Sequence, residues 1–327
     1  MIACSARVPP SHSVAMLDTN GSVLGSAVVD TCGPTLGTCS SPLPTFFVLG
    51  PPRTGTTWLH AILKERVLLP SPTKETRFFD IHFQRGIRWY LGHYQRAKKT
   101  QLMGEIAPTY FASATACERI ARVIPQAKAV CIFRNPVDRV MSLYRFKRAY
   151  GMTPWGLEEA ITRDPELLES SRYASYLKLW QLALGTKQVF PTVYEDLQQN
   201  PQSYMDALVD FVGLPRFTLT ASNVGHINSS ILLTHPRSYY RTRTATVLAD
   251  RLKARRLDFI VARVRNSPLL KLFLGGGPAF TELSLEVLLR LYELFRPEVE
   301  ELEAMLNRDF SSWKFAAAAL KSMQTAT

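Results

Sequence analysis

Cysteine is scarce and unpatterned in this 327-residue chain: Cys4, Cys32, Cys39, Cys117 and Cys131 are odd in number, scattered and without C-x-x-C spacing. That excludes a disulfide framework and a thiolate zinc site, and it sets the expectation of a reducing compartment. No apolar run approaches the roughly 18 residues of a membrane span, and no charged segment followed by an apolar one opens the chain. The reading is a cytoplasmic protein without signal peptide or span. Acidic residues are also short, 27 against 39 Lys and Arg, which leaves a net charge of +12. The surplus predicts a polyanionic ligand, a nucleic acid or an anionic membrane surface without choosing among them. With 46% hydrophobic residues, the chain can still build a substantial core.

One further absence is local. A nucleotide-triphosphatase loop reads G-x-x-x-x-G-K-[ST]. The stretch Gly50-Pro51-Pro52-Arg53-Thr54-Gly55-Thr56-Thr57 has Thr56 at the lysine position, and its one cation is Arg53. An anion site is retained, whereas the triphosphate and magnesium apparatus is not expected, and no metal is assigned. The run Phe46-Phe47-Val48-Leu49 reads as a buried strand feeding this turn, and Trp58, Leu59, Ile62 and Leu63 share one face of the helix that follows. Free N–H groups and the positive dipole end at a helix N-terminus bind phosphate, and Gly55 permits close backbone approach. Arg53, Thr54, Gly55, Thr56, Thr57 and Trp58 are the candidate cradle, with Arg53 supplying charge to the transition state.

Residues 1–44 are rich in small and polar residues and read as a disordered tail. From Thr45, short apolar runs alternate with helical periodicity, which predicts an α/β fold with a mostly parallel sheet flanked by helices. Strands are expected at Phe46–Leu49, Met103–Ile106, Ala129–Phe133 and Gln188–Tyr194. Helices are expected at Thr56–Leu68, Thr115–Ile124, Pro136–Tyr150, Tyr173–Leu184, Pro201–Val212, Ser284–Leu294 and Pro297–Leu306. The domain is read as 45–315, with a C-terminal tail at 316–327. Within it, residues 235–280 form a basic insertion with ten Arg or Lys against two Asp. Its amphipathic stretch 247–264 reads as a lid, an acidic-substrate platform or a membrane-surface element, with peripheral membrane contact assigned to 247–274.

A second constellation follows the third strand, in Arg134-Asn135-Pro136-Val137-Asp138-Arg139-Val140-Met141-Ser142-Leu143-Tyr144. Asn135 suits an N-cap and Pro136 the first helical position, which puts Arg134 at a strand's carboxyl end, where ligands of open α/β sheets bind. Arg134 and Ser142 so placed could hold a second phosphate.

Together these segments resemble the P-loop sulfotransferases that use 3'-phosphoadenosine 5'-phosphosulfate (PAPS), whose motifs are G-x-x-[KR]-[ST]-G-[ST]-[ST] and R-[DN]-P-x-x-R-x-x-S-x-Y. The chain is more similar to the heparan-sulfate type and its bacterial relatives than to the steroid and phenol type. Lys74-Glu75-Thr76-Arg77-Phe78-Phe79-Asp80, Gly86-Ile87-Arg88-Trp89-Tyr90, Gly104-Glu105-Ile106-Ala107-Pro108-Thr109-Tyr110-Phe111 and Tyr194-Glu195-Asp196-Leu197 carry that likeness. The resemblance implies a P-loop three-layer fold and PAPS as donor. The loop would hold the 5'-phosphosulfate and Arg134 with Ser142 the 3'-phosphate, while Glu75 acts as general base and His82 as its rival. It implies in-line transfer to a hydroxyl or amine of a carbohydrate, lipid or secondary metabolite, and no specific nucleic acid. Ile106 stands where heparan-type members carry Lys. Arg237, in Pro236-Arg237-Ser238, is the candidate closing cation in place of a Lys-Gly loop. The alternatives are a P-loop kinase or NTPase, or a basic polyanion-binding module without catalysis. Neither the acceptor nor the oligomeric state is legible in the motifs.

Overall fold

In a computed structural model, the structure describes residues 42–94, 102–220, 235–236, 238–254, 261, 277, 280 and 284–314. Four parallel strands, β1 (Phe46–Val48), β2 (Gly104–Ile106), β3 (Lys128–Phe133) and β4 (Val189–Val193), form a sheet of order β2-β1-β3-β4. In register, Phe46 faces Gly104 on one side and Lys128 on the other. Parallel strands need crossovers, and here helices supply them on both faces, which is why β1 is apolar at every position.

Side chains of alternate residues divide between two cores. Phe47, Leu49, Ala129, Cys131 and Phe133 join one core with helices α3 (Ala114–Val123), α7 (Tyr173–Leu184) and the C-terminal helix Leu285–Leu306. Phe46, Val48, Val130 and Ile132 join the other, against α1 (Thr56–Leu63) and α9 (Pro201–Val212). The result is the expected α/β three-layer arrangement. Gly104 is required by contact: a Cβ there would come within 2.2 Å of the Phe46 ring.

Two expectations need correction. The helix predicted for Thr56–Leu68 ends at Leu63, because Leu68 joins the sheet margin: its N–H donates to Leu102 O at 2.9 Å and its carbonyl accepts from Gly104 N at 3.1 Å. The two helices predicted on either side of residue 296 are one, Leu285–Leu306, running through Pro297. Proline removes only one helical N–H, and the continuous buried stripe Val287, Leu291, Tyr292, Phe295, Val299 and Leu302 outweighs that loss. In the basic segment, the helix begins at Tyr239 and is described to Ala254. Its Thr242 is buried and its Thr246 hydroxyl donates to Tyr150 O at 2.7 Å, while Leu248 turns to solvent at 59% exposure. The tail 1–41, Arg237, most of 255–283 and residues 315–327 lie outside the described residues. Among those described, no helix is long and apolar enough to cross a membrane.

Candidate functional site

The loop between β1 and α1 turns twice through left-handed backbone, at Arg53 (φ 81°) and Gly55 (φ 90°). A left-handed non-glycine residue costs roughly 1–2 kcal/mol, and such strain concentrates where backbone N–H groups are aimed at a ligand. A Cβ on Gly55 would meet Leu197 at 3.1 Å and Tyr194 at 3.2 Å. Thr54 is fully buried and its hydroxyl donates to Pro51 O at 2.8 Å, so that side chain braces the loop from within. Trp58 likewise puts its indole in the α1-side core, and its backbone N–H donates to Gly55 O at 3.0 Å. Of the six cradle candidates these two act as supports. The amides of Thr56 and Thr57 precede that first intrahelical bond and have no helical acceptor of their own.

Helix α4 (Pro136–Ala149) starts beside this loop because Asn135 caps it, its Oδ1 accepting from Val137 N at 3.0 Å. Arg134 and Ser142 are thereby brought to Arg53. The Arg53 Nε donates to Ser142 Oγ at 3.0 Å, and Arg134 Nη1 donates to Arg53 O at 3.1 Å. Aromatic rings support both guanidiniums, Phe146 under Arg53 at 5.0 Å and Tyr194 under Arg134 at 4.9 Å. Burial and then the neighbouring Arg134 lower the Arg53 pKa. Glu195 is the nearby acid, and one of its oxygens accepts from Asn135 N at 2.9 Å. Two partly buried guanidiniums gathered at a helix N-terminus have the charge and the donors that an anion needs.

Lys74 pairs with Glu75 at 3.4 Å, each side chain 26% exposed. Burial raises the Glu75 pKa, with Lys74 opposing. Burial lowers that of Lys74, Glu75 opposes, and Arg53 lowers it further, so the Lys74–Glu75 pair lies within the field of the loop cation. His82 instead packs edge-on against Trp89, ring centroids 5.3 Å apart. Ile106 is buried in the α1-side core, so it adds no charge to the site and Lys74 is the additional cation there.

Sequence reasoning passed over Lys74, Phe146 and Tyr194 as parts of the site, and it left Glu105 and Arg139 without roles. Arg139 is fully buried, donating to Ser171 Oγ at 2.6 Å and Leu167 O at 2.5 Å, and it braces α4 from below. Aromatic supports carry no motif signal of their own. Phe146 stands one helical turn beyond Ser142 and Tyr194 opens the quoted Tyr194-Glu195-Asp196-Leu197 segment, and those places were the available clue.

The sulfotransferase-domain family model matches residues 43–246. Bifunctional heparan sulfate N-deacetylase/N-sulfotransferase 2 of Bos taurus is 30% identical over 198 residues, covering 54% of this chain and 22% of that protein. Bifunctional heparan sulfate N-deacetylase/N-sulfotransferase 1 of Mus musculus is 30% identical over 194 residues, covering 52% and 22%. The chain thus spans about a fifth of the length of these relatives. A crystal structure of a sulfotransferase from Alicyclobacillus acidocaldarius shares the fold, with TM-score 0.59, 19% identity, and coverage of 84% of this chain and 100% of that one. With the family model covering well over half of its length and a P-loop-type α/β fold, this chain belongs to the sulfotransferase family.

Proposed function

We propose that the chain transfers a sulfuryl group from PAPS to a hydroxyl or amine of a carbohydrate. The observation that carries this reading is the convergence of Arg53, Arg134 and Ser142 at the start of α1, with the Lys74–Glu75 pair beside them. A donor with two separate phosphates fits such a cradle: the left-handed turn at Gly55 admits close backbone approach, and the paired guanidiniums supply charge. Bound there, PAPS supplies an activated sulfuryl group.

Arg53 and the Thr56 and Thr57 amides would hold the phosphosulfate end and take up negative charge as the leaving phosphate develops it. Arg134 and the Ser142 hydroxyl would hold the other phosphate and fix the donor's direction. Glu75 removes the acceptor proton as the acceptor oxygen or nitrogen bonds to sulfur and the sulfur–oxygen bond to the leaving phosphate breaks. The products are sulfated acceptor, adenosine 3',5'-bisphosphate (PAP) and a proton. Burial raises the Glu75 pKa, in the direction that makes it a stronger base, and the Lys74 ammonium opposes that rise. The relatives named for heparan sulfate N-sulfation and the net charge of +12 both favour an acidic glycan as acceptor.

Labelled-sulfate transfer from PAPS to N-desulfated heparin, heparosan and a simple phenol tests the reading. Label is expected in a glycan. Label in the phenol alone overturns the carbohydrate assignment, and no label with no thermal shift from PAP overturns the donor.

A further inference from the structure

Glu105 is fully buried at the centre of β2, between Gly104 and Ile106, and every hydrogen-bond partner it has is a neutral donor. A buried carboxyl is expensive unless each oxygen is satisfied, and an apolar residue would fill a core position more cheaply. Its bonds point in one direction. Glu105 Oε1 accepts from Thr76 N at 2.8 Å and from the Thr76 hydroxyl at 2.7 Å, and Oε2 accepts from Tyr90 OH at 2.9 Å. Thr76 Oγ1 in turn accepts from Phe78 N at 3.1 Å. Tyr110 OH, 3.4 Å from Oε1, accepts from Phe79 N at 3.3 Å.

We infer that Glu105 is a positioning residue for sulfuryl transfer: through Thr76 its carboxylate fixes the backbone that carries Glu75, an inference that rests on Glu75 being the base. The residue after Glu75 is bonded to Glu105 by both its amide and its hydroxyl, and the next residue, Arg77, takes left-handed backbone (φ 54°). Phe78 and Phe79 then hang from the same network, so the segment turns about a single anchor. Glu75 is left pointing to Lys74, with Arg77 and Asp80 of its own segment and Glu105 from β2 as the other charges near it. An apolar side chain could fill this space without holding Thr76. Burial pushes the Glu105 pKa up to about 7, which agrees with a carboxyl retained for its hydrogen bonds rather than for a cation.

The test uses Glu105→Ala, Glu105→Gln, Glu75→Gln and the double variant Glu75→Gln with Glu105→Ala. Transfer from PAPS to N-desulfated heparin is measured beside PAP thermal shift and hydrogen exchange of residues 73–82. Glu105→Gln keeps an acceptor for Thr76 and should retain most of kcat. Glu105→Ala should lose about a hundredfold in kcat, the scale of an ångström's misplacement, with KM for PAPS and the PAP shift unchanged. In the Glu75→Gln background the alanine change should cost little more, since both act through one group. Exchange should rise at Thr76, Phe78 and Phe79 in Glu105→Ala and stay protected in β3. The inference is overturned if the full loss carries into the double variant, or if exchange rises throughout the fold as in general destabilisation. A fully active Glu75→Gln would remove the base assignment itself and the positioning role with it, an outcome distinct from additivity.

Discussion

Arg53→Met separates ligand binding from folding. Methionine keeps an apolar stem against Phe146 and removes the charge. In the unliganded protein the change loses the bond to Ser142 and a cation–π contact worth about 0.5–1 kcal/mol. It also relieves the partial burial of the guanidinium and its repulsion by Arg134. These oppose each other, so thermal stability should stay within about 1 kcal/mol of wild type, or roughly 2–4 °C. Binding of PAP responds differently. A charge-assisted bond to phosphate is worth about 1.5–3 kcal/mol, so affinity should fall roughly 10- to 150-fold. At a PAP concentration 100 times the wild-type Kd, the wild type gains about 2.7 kcal/mol and the variant about 0.3–1.4 kcal/mol. Differential scanning fluorimetry with and without PAP reads both quantities. A variant whose unliganded Tm falls steeply while its PAP increment matches wild type would refute the assignment of Arg53 to the donor.

Other outcomes follow from the same geometry. Glu105, at about 7 in the folded protein against an ordinary 4.5, keeps a proton that the unfolded chain releases. Stability present below pH 4.5 is therefore lost as pH rises through about 7, on the order of 3 kcal/mol, and Glu105→Gln should flatten that slope in urea unfolding. His60 has the opposite sign: burial and then Lys74 depress it to about 4 from 6.5, so its contribution is present above pH 6.5 and lost as pH falls toward 4. A His60→Gln variant should be less acid-labile in the same assay. Arg139→Leu should destabilise by about 1–3 kcal/mol, because it leaves the buried Leu167 O and Ser171 Oγ without their donor, visible as a lowered urea midpoint. EDTA should leave transfer unchanged, and its inhibition by EDTA with rescue by magnesium would contradict the reading of the loop.

Periodicity carried the fold because β1 and residues 129–133 of β3 are unbroken apolar runs and α4 and α9 begin at capping asparagines. Where it misread boundaries, tertiary contacts decided: Leu68 left its helix to bond the sheet margin, and Pro297 was carried by a buried stripe. Spacing within one loop or helix singled out Arg53, Arg134 and Ser142, which the structure brings into contact. It could not say that Thr54 and Trp58 turn inward, since that depends on what lies beneath them. Glu105 was unreadable as well, because its partners Thr76, Tyr90 and Tyr110 come from separate segments that only the folded sheet edge assembles.

If Glu75 is the base for a donor held by the loop, its loss must show in single-turnover sulfate transfer from PAPS to N-desulfated heparin. With donor saturating, Glu75→Gln is predicted to slow transfer by about a hundredfold to ten-thousandfold while binding PAP as wild type does. Wild-type transfer rates in Glu75→Gln would contradict the account.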